Sequence, residues 1–563
     1  MNNTIEFYSN NALKFKSQYL SQDAENVHGS WRQYLPTSGQ ILDVGAGVGR
    51  DAKWLVNLGF DVVAVEPASQ FMEIGKELTQ GQSVHWMADI LPELSSVYQL
   101  QTRFDLILLS AVWMHIPSRQ RERAFRKLSN LLKPGGKLVI SLRHGSSPDE
   151  RCMYPVDVDE VTRFAQQFGL SVKKIIQDND KLKRQDVFWE TVVLEMPDDG
   201  GGAFPIIRNI LMNDAKSSTY KLALIRVLLR IADGHPGAVL RREDDRVILP
   251  LGLVSLYWAR QYKPLIDQQV QQSSNANRGL GFIKENGWLK LSSRAASDFS
   301  IGHLFVNEEA QALDQMLKDI SKTIKEMPAK FITLPNSEQQ VFEVEIFRCK
   351  GKKEALFTDF DTLSQYGEFS IPIKVWDLIS LYGCWIEPVA INEWVNVMSG
   401  YKMNKGKFDK QVLFSILDWA KVERNTTDAR NKVEEIKQSG EQVYCLWGKN
   451  KLPKKYDIDH CLPFSRWPNN DLWNLFPSAQ KLNLEKSDKL ASNHRLQDSK
   501  ELIQQWWSHA WVLNKEYEER RFFAEANISL PGLGRHNKNT DDIFEALKLQ
   551  HVRIREMQQL KVW

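Results

Sequence analysis

Four polar residues in the C-terminal part of this 563-residue chain have types and spacing suited to phosphodiester chemistry. Asp459 and His460 close the β-like run Lys454-Lys455-Tyr456-Asp457-Ile458-Asp459-His460, and Asn474 and Asn483 follow the histidine by fourteen and twenty-three positions. A histidine titrating near about 6.5 can take a proton from water at neutral pH. Hydrolysis also needs a hard cation to neutralise charge on the phosphate and the leaving oxygen, and such a cation prefers carboxylate and amide oxygens. His460 is therefore expected as the base, with one Mg2+ or Mn2+ held by Asp459 and Asn483.

Residues 440 to 492 resemble the ββα-metal (HNH) nuclease family over its full length. Asp459-His460 matches the family's ligand-and-base pair, Asn474 in Asp471-Leu472-Trp473-Asn474-Leu475 its loop-ordering asparagine, and Asn483-Leu484-Glu485-Lys486-Ser487 the helix bringing the last ligand. The intervals are similar to those in the HNH domain of RNA-guided CRISPR effectors, a likeness confined to this segment. Zinc-stapled members carry Cys-x-x-Cys pairs, whereas only Cys445 and the isolated Cys461 occur here, so no structural zinc is expected.

A second chemistry-bearing pattern lies near the N-terminus. Ile41-Leu42-Asp43-Val44-Gly45-Ala46-Gly47-Val48-Gly49 reads as a buried strand entering a glycine turn, followed by a helix over 52–58. The next apolar strand, 62–65, ends in Glu66, placed to accept two ribose hydroxyls. Met87-Ala88-Asp89, the strand 104–109 and the Lys133-Pro134-Gly135-Gly136 turn follow in order. Across residues 35 to 195 this order resembles the class I S-adenosylmethionine-dependent methyltransferases. The resemblance implies that Asp43, Gly45 and Gly47 surround the amino-acid part of the cofactor, Glu66 holds the ribose and Asp89 meets the adenine amino group.

The acceptor side reads differently. Enzymes that methylate base amino groups carry an Asp/Asn/Ser-Pro-Pro-aromatic motif after the fourth strand, where this chain has Ser110-Ala111-Val112-Trp113-Met114-His115. No cysteine precedes Cys152, so cytosine-C5 chemistry has no nucleophile. The pattern looks like the family's small-molecule branch. His115 is either a base or acceptor contact, or a surface histidine capping the turn before Pro117, and the second is the favoured expectation.

The elements that must position these residues divide the chain. The fold class expected is α/β: a Rossmann-like methyltransferase domain (1–195), a helical subdomain (205–278), a mixed and mainly helical region (279–439), a ββα-metal HNH domain (440–495) and a C-terminal helical extension (496–563). The linker is glycine- and acid-rich, 196–204, and a polar stretch over 268–278 ends the first middle segment. Helices are expected over 220–231, 249–262, 307–324, 372–382, 391–399 and 410–420, a strand over 341–347, and a charged, Trp-containing helix over 498–525.

Five scattered cysteines suit a reducing compartment, Met1 to Leu20 has no apolar core, and no stretch is long and apolar enough to span a bilayer, so a cytoplasmic protein without membrane partners is expected. The net charge of +3 does not argue for nucleic acid, but Lys449, Lys451, Lys454 and Lys455 lie beside the nuclease motif. The expected function is a bifunctional methyltransferase and HNH endonuclease cleaving DNA, in preference to RNA, in bacterial restriction or phage defence. The alternative is an RNA or small-molecule methyltransferase with the HNH domain as a nucleic-acid-binding module. A small methyl acceptor and a homodimer are further expected partners, and cofactor occupancy is expected to change nuclease activity.

Overall fold

The computed structural model describes every residue except 1, 148, 150, 182–183, 185, 199–200, 276–278, 335–337, 349–350, 352 and 419–423. Parts of the expected linker, of the polar stretch and of the expected helix end at 420, together with Cys349, lie outside the described residues. The chain divides into two compact units, Met1–Gly202 and Ala203–Trp563.

In the first unit the apolar runs become a seven-stranded sheet: β1 (Gln40–Val44), β2 (Asp61–Val65), β3 (Val84–Met87), β4 (Phe104–Leu109), β5 (Leu132–His144), β6 (Ser171–Asn179) and β7 (Phe188–Glu195). Their spatial order is β3-β2-β1-β4-β5-β7-β6, with the first five parallel and β7 antiparallel to both neighbours. Strand periodicity sorts the side chains to two faces. Leu42, Val44, Val63, Val65, Ile107 and Leu109 pack into one cluster, while Ile41, Val62, Ala64, Leu106 and Leu108 pack into another. Both faces are buried, and the strands therefore read as continuous apolar runs. This is the expected Rossmann-like architecture. Two helices that the sequence analysis did not assign, Asn2–Asn10 and Ala12–Leu20, pack with Val48, Ala68 and Phe71 in a third cluster.

The middle of the second unit is mainly helical, as expected, but it holds more strands than the one expected over 341–347. β9 (Arg246–Pro250), which follows the two-residue β8 (Arg241–Arg242), joins β11 (Glu343–Ile346) and β13 (Gly367–Pro372) in an antiparallel sheet of order β11-β13-β9-β8, while β10 (Leu304–Val306) pairs with β12 (Ala355–Phe357). The helix expected from 249 therefore starts at Leu251, after a strand. The helices expected over 372–382 and 391–399 are one helix, Ile373–Ser399, with Pro388 inside it. Trp376, Leu378 and Ile379 from its first half and Trp394, Val395 and Met398 from its second are buried in the same core, and that packing outweighs the local cost of the proline. This core runs from Ala203 to Leu417, across the boundary expected at 278, and takes in Ala524 and Ile528.

A separate core, Ala429 to Ile554, holds the nuclease segment. β14 (Tyr456–His460) pairs antiparallel with β15 (Leu475–Ala479), His460 opposite Leu475, and the helix Gln480–Lys486 follows, completing ββα. The single helix expected over 498–525 is instead Lys500–Trp507, a wide turn Ser508–Val512 and Glu516–Ser529. The break folds the chain back so that Trp507 and Phe522 meet at 5.6 Å between ring centroids.

Gly252 shows how tightly the middle core is packed: a Cβ there would lie 2.4 Å from the Leu363 carbonyl oxygen and 2.8 Å from the Tyr366 ring. Backbone cannot swing aside as a flexible side chain can. Gly252→Ala is expected to destabilise the second unit by about 1–3 kcal/mol, read as a lowered urea midpoint with the slope unchanged.

Candidate active sites

In the first unit the glycine loop, the ends of β2 and β4 and the two N-terminal helices enclose a cavity of about 310 Å³. The amides of Gly45 and Ala46 donate to the Val65 carbonyl at 2.8 and 2.9 Å, which fixes the loop beside β2. Gly45 has φ +74°, and a Cβ there would lie 2.5 Å from Val112 Cγ2, so this position has neither the conformation nor the room for a side chain.

Glu66, at the end of β2, accepts the Gly47 N–H through one oxygen and the Ala68 N–H through the other, each at 2.8 Å, and lines the cavity. Burial pushes its carboxyl up to about 7. Asp43 lies behind the loop, buried, with no hydrogen-bond partner on either carboxylate oxygen, and burial, then Asp51, raises its pKa. An unmatched acid beside a glycine loop suits a ligand that brings positive charge, as the ammonium and sulfonium of S-adenosylmethionine do. Asp89 also lines the cavity, but its two oxygens take the N–H groups of Ile90, Ser95, Ser96 and Val97. Capping the helix Ser95–Gln99 is thus its observed role, beside the adenine contact the resemblance implied.

His115 is not the surface cap that was favoured. It lines the cavity, with Nδ1 bonded to the Cys152 carbonyl at 2.9 Å and Nε2 to the Tyr8 hydroxyl at 3.1 Å. A carbonyl only accepts, so Nδ1 carries the hydrogen and Nε2 is the basic nitrogen. Burial keeps the ring below the usual histidine pKa, hence neutral at pH 7. Tyr8, Tyr19, Arg143 and Arg151 line the same wall, and Arg151 donates to both tyrosine hydroxyls. None of these four was singled out from the sequence, because an isolated arginine or tyrosine carries no spacing signal.

The nuclease residues converge at β14. Asp459 is 4 % exposed; its Oδ1 accepts from Lys486 Nζ at 3.0 Å and its Oδ2 from the Trp447 indole at 2.7 Å. Asn483 donates through Nδ2 to Asp457 Oδ2 at 3.1 Å. Asp457 and Asp459 alternate along one strand and Asn483 and Lys486 lie three apart on one helix, so two polar pairs tie β14 to that helix. His460 Nε2 meets Asn470 Oδ1 at 3.0 Å, and that oxygen also accepts the Asn425 N–H, which fixes the amide's orientation. His460 therefore donates through Nε2, and its buried Nδ1 has no partner. Burial pushes its pKa down to about 4, against the bond to Asn470, so the ring is neutral at pH 7.

Asn474 is fully buried, and its amide bonds only backbone of the loop after His460, taking the Leu462 N–H at 2.9 Å and donating to the carbonyls of Leu462 and Asn469. It acts by positioning. Asn470, absent from the sequence reading, is the residue that orients the histidine; one asparagine in a polar loop gave no signal. Among the described residues no three His, Cys, Asp or Glu side chains are grouped to hold a metal, so a cation here would rest on amide as well as carboxylate oxygen. Lys449, Lys451, Lys454 and Lys455 are exposed beside the site.

Fold and geometry define two enzyme-type domains, a class I methyltransferase domain and an HNH endonuclease domain. Comparison with known families agrees: a methyltransferase-domain model matches residues 42–140, an HNH endonuclease model residues 447–492, and a domain of unknown function residues 200–417. The chain is similar to a ubiquinone biosynthesis O-methyltransferase of Xanthomonas axonopodis pv. citri, 28% identical over 108 residues, or 19% of this chain and 44% of that one. An uncharacterised methyltransferase of Alkaliphilus oremlandii is 28% identical over 109 residues, 18% of this chain and 45% of that protein. The chain thus spans under half the length of these relatives. Among solved structures, a Burkholderia thailandensis 1,6-didemethyltoxoflavin-N1-methyltransferase with bound S-adenosylhomocysteine matches at 16% identity and TM-score 0.29, over 34% of this chain and 87% of that one. Among the described residues no helix is long and apolar enough to cross a membrane.

The raised pKa of Glu66 gives a testable pH dependence. Its folded value, about 7, exceeds the ordinary glutamate value of 4.5, so the folded state retains a proton that the unfolded chain has lost between those pH values, and stability from this group falls as pH rises through about 7. Ribose hydroxyls donate best to the ionised form. Calorimetric titration with S-adenosylhomocysteine is expected to show affinity rising several-fold from pH 6 to pH 8, and Glu66→Gln is expected to flatten that dependence.

Proposed function

We propose that this chain is a two-headed enzyme whose second unit cleaves DNA with a divalent metal and whose first unit binds S-adenosylmethionine, acting in bacterial restriction or phage defence from the cytoplasm. The observation that carries the nuclease reading is the unpartnered, buried Nδ1 of His460. Asn470 holds the opposite nitrogen as the donor, so Nδ1 is the basic position, ready to take a proton from an attacking water.

Asp459 and Asn483 would hold Mg2+ or Mn2+, with Asp457 within reach of the same amide, and the cation would supply charge neutralisation at the phosphate and the leaving oxygen. The chain's own residues do the remainder. His460 accepts the water proton, Asn474 and Asn470 keep the following loop and the ring in place, and Lys486 fixes Asp459 while also donating to the His460 carbonyl at 2.7 Å. The exposed lysines 449, 451, 454 and 455 suit contact with backbone phosphates. Attack in line with the 3′ oxygen leaves a 5′ phosphate and a 3′ hydroxyl. One site per chain cuts one strand, so a double-strand break takes a second copy or a second visit.

His460→Ala removes the base and leaves the oxygen ligands, so plasmid nicking in Mg2+ is expected to fall by roughly a hundredfold or more while gel-shift affinity for DNA stays within a few-fold. Asn483→Ala is expected to regain part of its activity as Mn2+ is raised, which His460→Ala should not do. Wild-type nicking by His460→Ala would end the nuclease reading.

A further inference from the structure

Resting on the reading of the first unit as a methyltransferase, we propose that its acceptor is a small organic anion, a carboxylate or phosphate ester, whose charged group is bound by Arg143. Arg143 is 5 % exposed and lines the cavity. One of its terminal nitrogens donates to the Gly145 carbonyl at 3.0 Å and meets Met153 Sδ at 3.5 Å, while its Nε is buried without a partner. Among the described residues no carboxylate pairs with it.

The neighbouring arginines differ. Arg151 is matched by Asp149 at 2.6 Å and Arg184 by Asp180 at 2.7 Å. Arg143 feels both of these cations, and burial, then Arg184 and Arg151, lowers its pKa, with Asp180, itself paired to Arg184, opposing that shift without bonding Arg143. A guanidinium stays charged in proteins, and a buried charge without a counter-ion is costly. A ligand that brings two oxygens in the plane of the guanidinium fork supplies what the protein leaves out.

Placement supports the same conclusion. Ser141 and Arg143 alternate along β5 and so project to one face, and Ser141 Oγ accepts the Ala111 N–H at 2.7 Å, in the turn that follows β4 beside the glycine loop. The anion would therefore lie roughly 7 Å further along the strand from that turn, at the carboxyl end of β5, where ligands of such sheets bind. His115 Nε2 and the Tyr8 hydroxyl face the same cavity, where Tyr19, Phe71, Met114 and Met153 add apolar lining. A flipped nucleobase is neutral and would leave Arg143 unmatched.

The test is calorimetric titration of the full chain, first with S-adenosylhomocysteine and then, at saturation, with 4-hydroxybenzoate, phenyl phosphate, 4-hydroxybenzyl alcohol and deoxycytidine. At least one of the two anions is expected to bind tenfold or more tightly than both neutral probes, and the better anion says whether carboxylate or phosphate is preferred. Arg143→Gln should erase that preference and leave S-adenosylhomocysteine affinity within twofold, while Arg143→Lys should recover part of it. The proposal is overturned if neither anion is preferred, if deoxycytidine binds best, or if Arg143→Gln keeps the preference. Failure of S-adenosylhomocysteine itself to bind instead removes the methyltransferase reading.

Discussion

The buried ion pair between Lys486 and Asp459 is the interaction on which the nuclease site depends. The ammonium is fully buried and 3.0 Å from the carboxylate, and it also reaches the His460 carbonyl. One side chain from the helix Gln480–Lys486 thus fixes both residues at the end of β14. Removing either partner would strand a buried charge, which costs about 3–5 kcal/mol. The pair also sets the charge balance for a cation. The Asp459 carboxylate is already shared by Lys486 and the Trp447 indole, so a divalent ion, if held here, would need the asparagine amide oxygen as well.

The ββα segment does not position itself alone. Glu525, on the helix Glu516–Ser529, accepts the Leu472 N–H at 2.7 Å, and the indoles of Trp506 and Trp507 donate to the carbonyls of Leu475 and Trp473. These bonds hold the stretch that carries Asn474 into β15. Burial raises the Glu525 carboxyl to about 7, with Arg521 opposing that shift. The C-terminal extension is thus part of the nuclease core, and the tryptophans there serve as hydrogen-bond donors to strand backbone as well as apolar filling.

How much of this was legible follows from contact distance along the chain. Asp459, His460, Asn474 and Asn483 are joined by a hairpin and one helix, so their spacing alone placed them on one ββα unit, although Asn483 bonds Asp457. Asp43, Gly45, Gly47 and Glu66 likewise lie within a strand, a turn, a helix and the next strand. Of the four-stranded sheet in the second unit only β11 was legible, in the strand expected over 341–347; β9 and β13 were missed because they pair across more than a hundred residues, as in Phe369 opposite Leu249. The helix Ile373–Ser399 read as two because the packing that carries it through Pro388 involves residues distant in sequence. Asn470 and Arg143 have meaning only through what lies opposite them.

Two ionisable groups of the first unit, Asp43 ahead of the glycine loop and Arg143 on β5, are buried without an ion-pair partner among the described residues. Both oxygens of Asp43 lack a hydrogen-bond partner and burial raises its pKa, whereas Arg143 lines the cavity, bonds the Gly145 carbonyl and leaves its Nε without a partner among the described residues. Each feels only a more distant opposite charge, Arg50 for Asp43 and Asp180 for Arg143, so a ligand group of opposite sign would favour the charged form of either. On the proposed reading, a cofactor carrying ammonium and sulfonium charge would favour the ionised form of Asp43, and an anionic acceptor would neutralise Arg143. Neutral His115 lies on the acceptor side, where a positive imidazolium would add to the charge of Arg143 and Arg151. Burial is the main cause of that histidine's lowered pKa, and Arg151 and Arg143 add to it, which leaves the imidazole neutral and able to receive a proton.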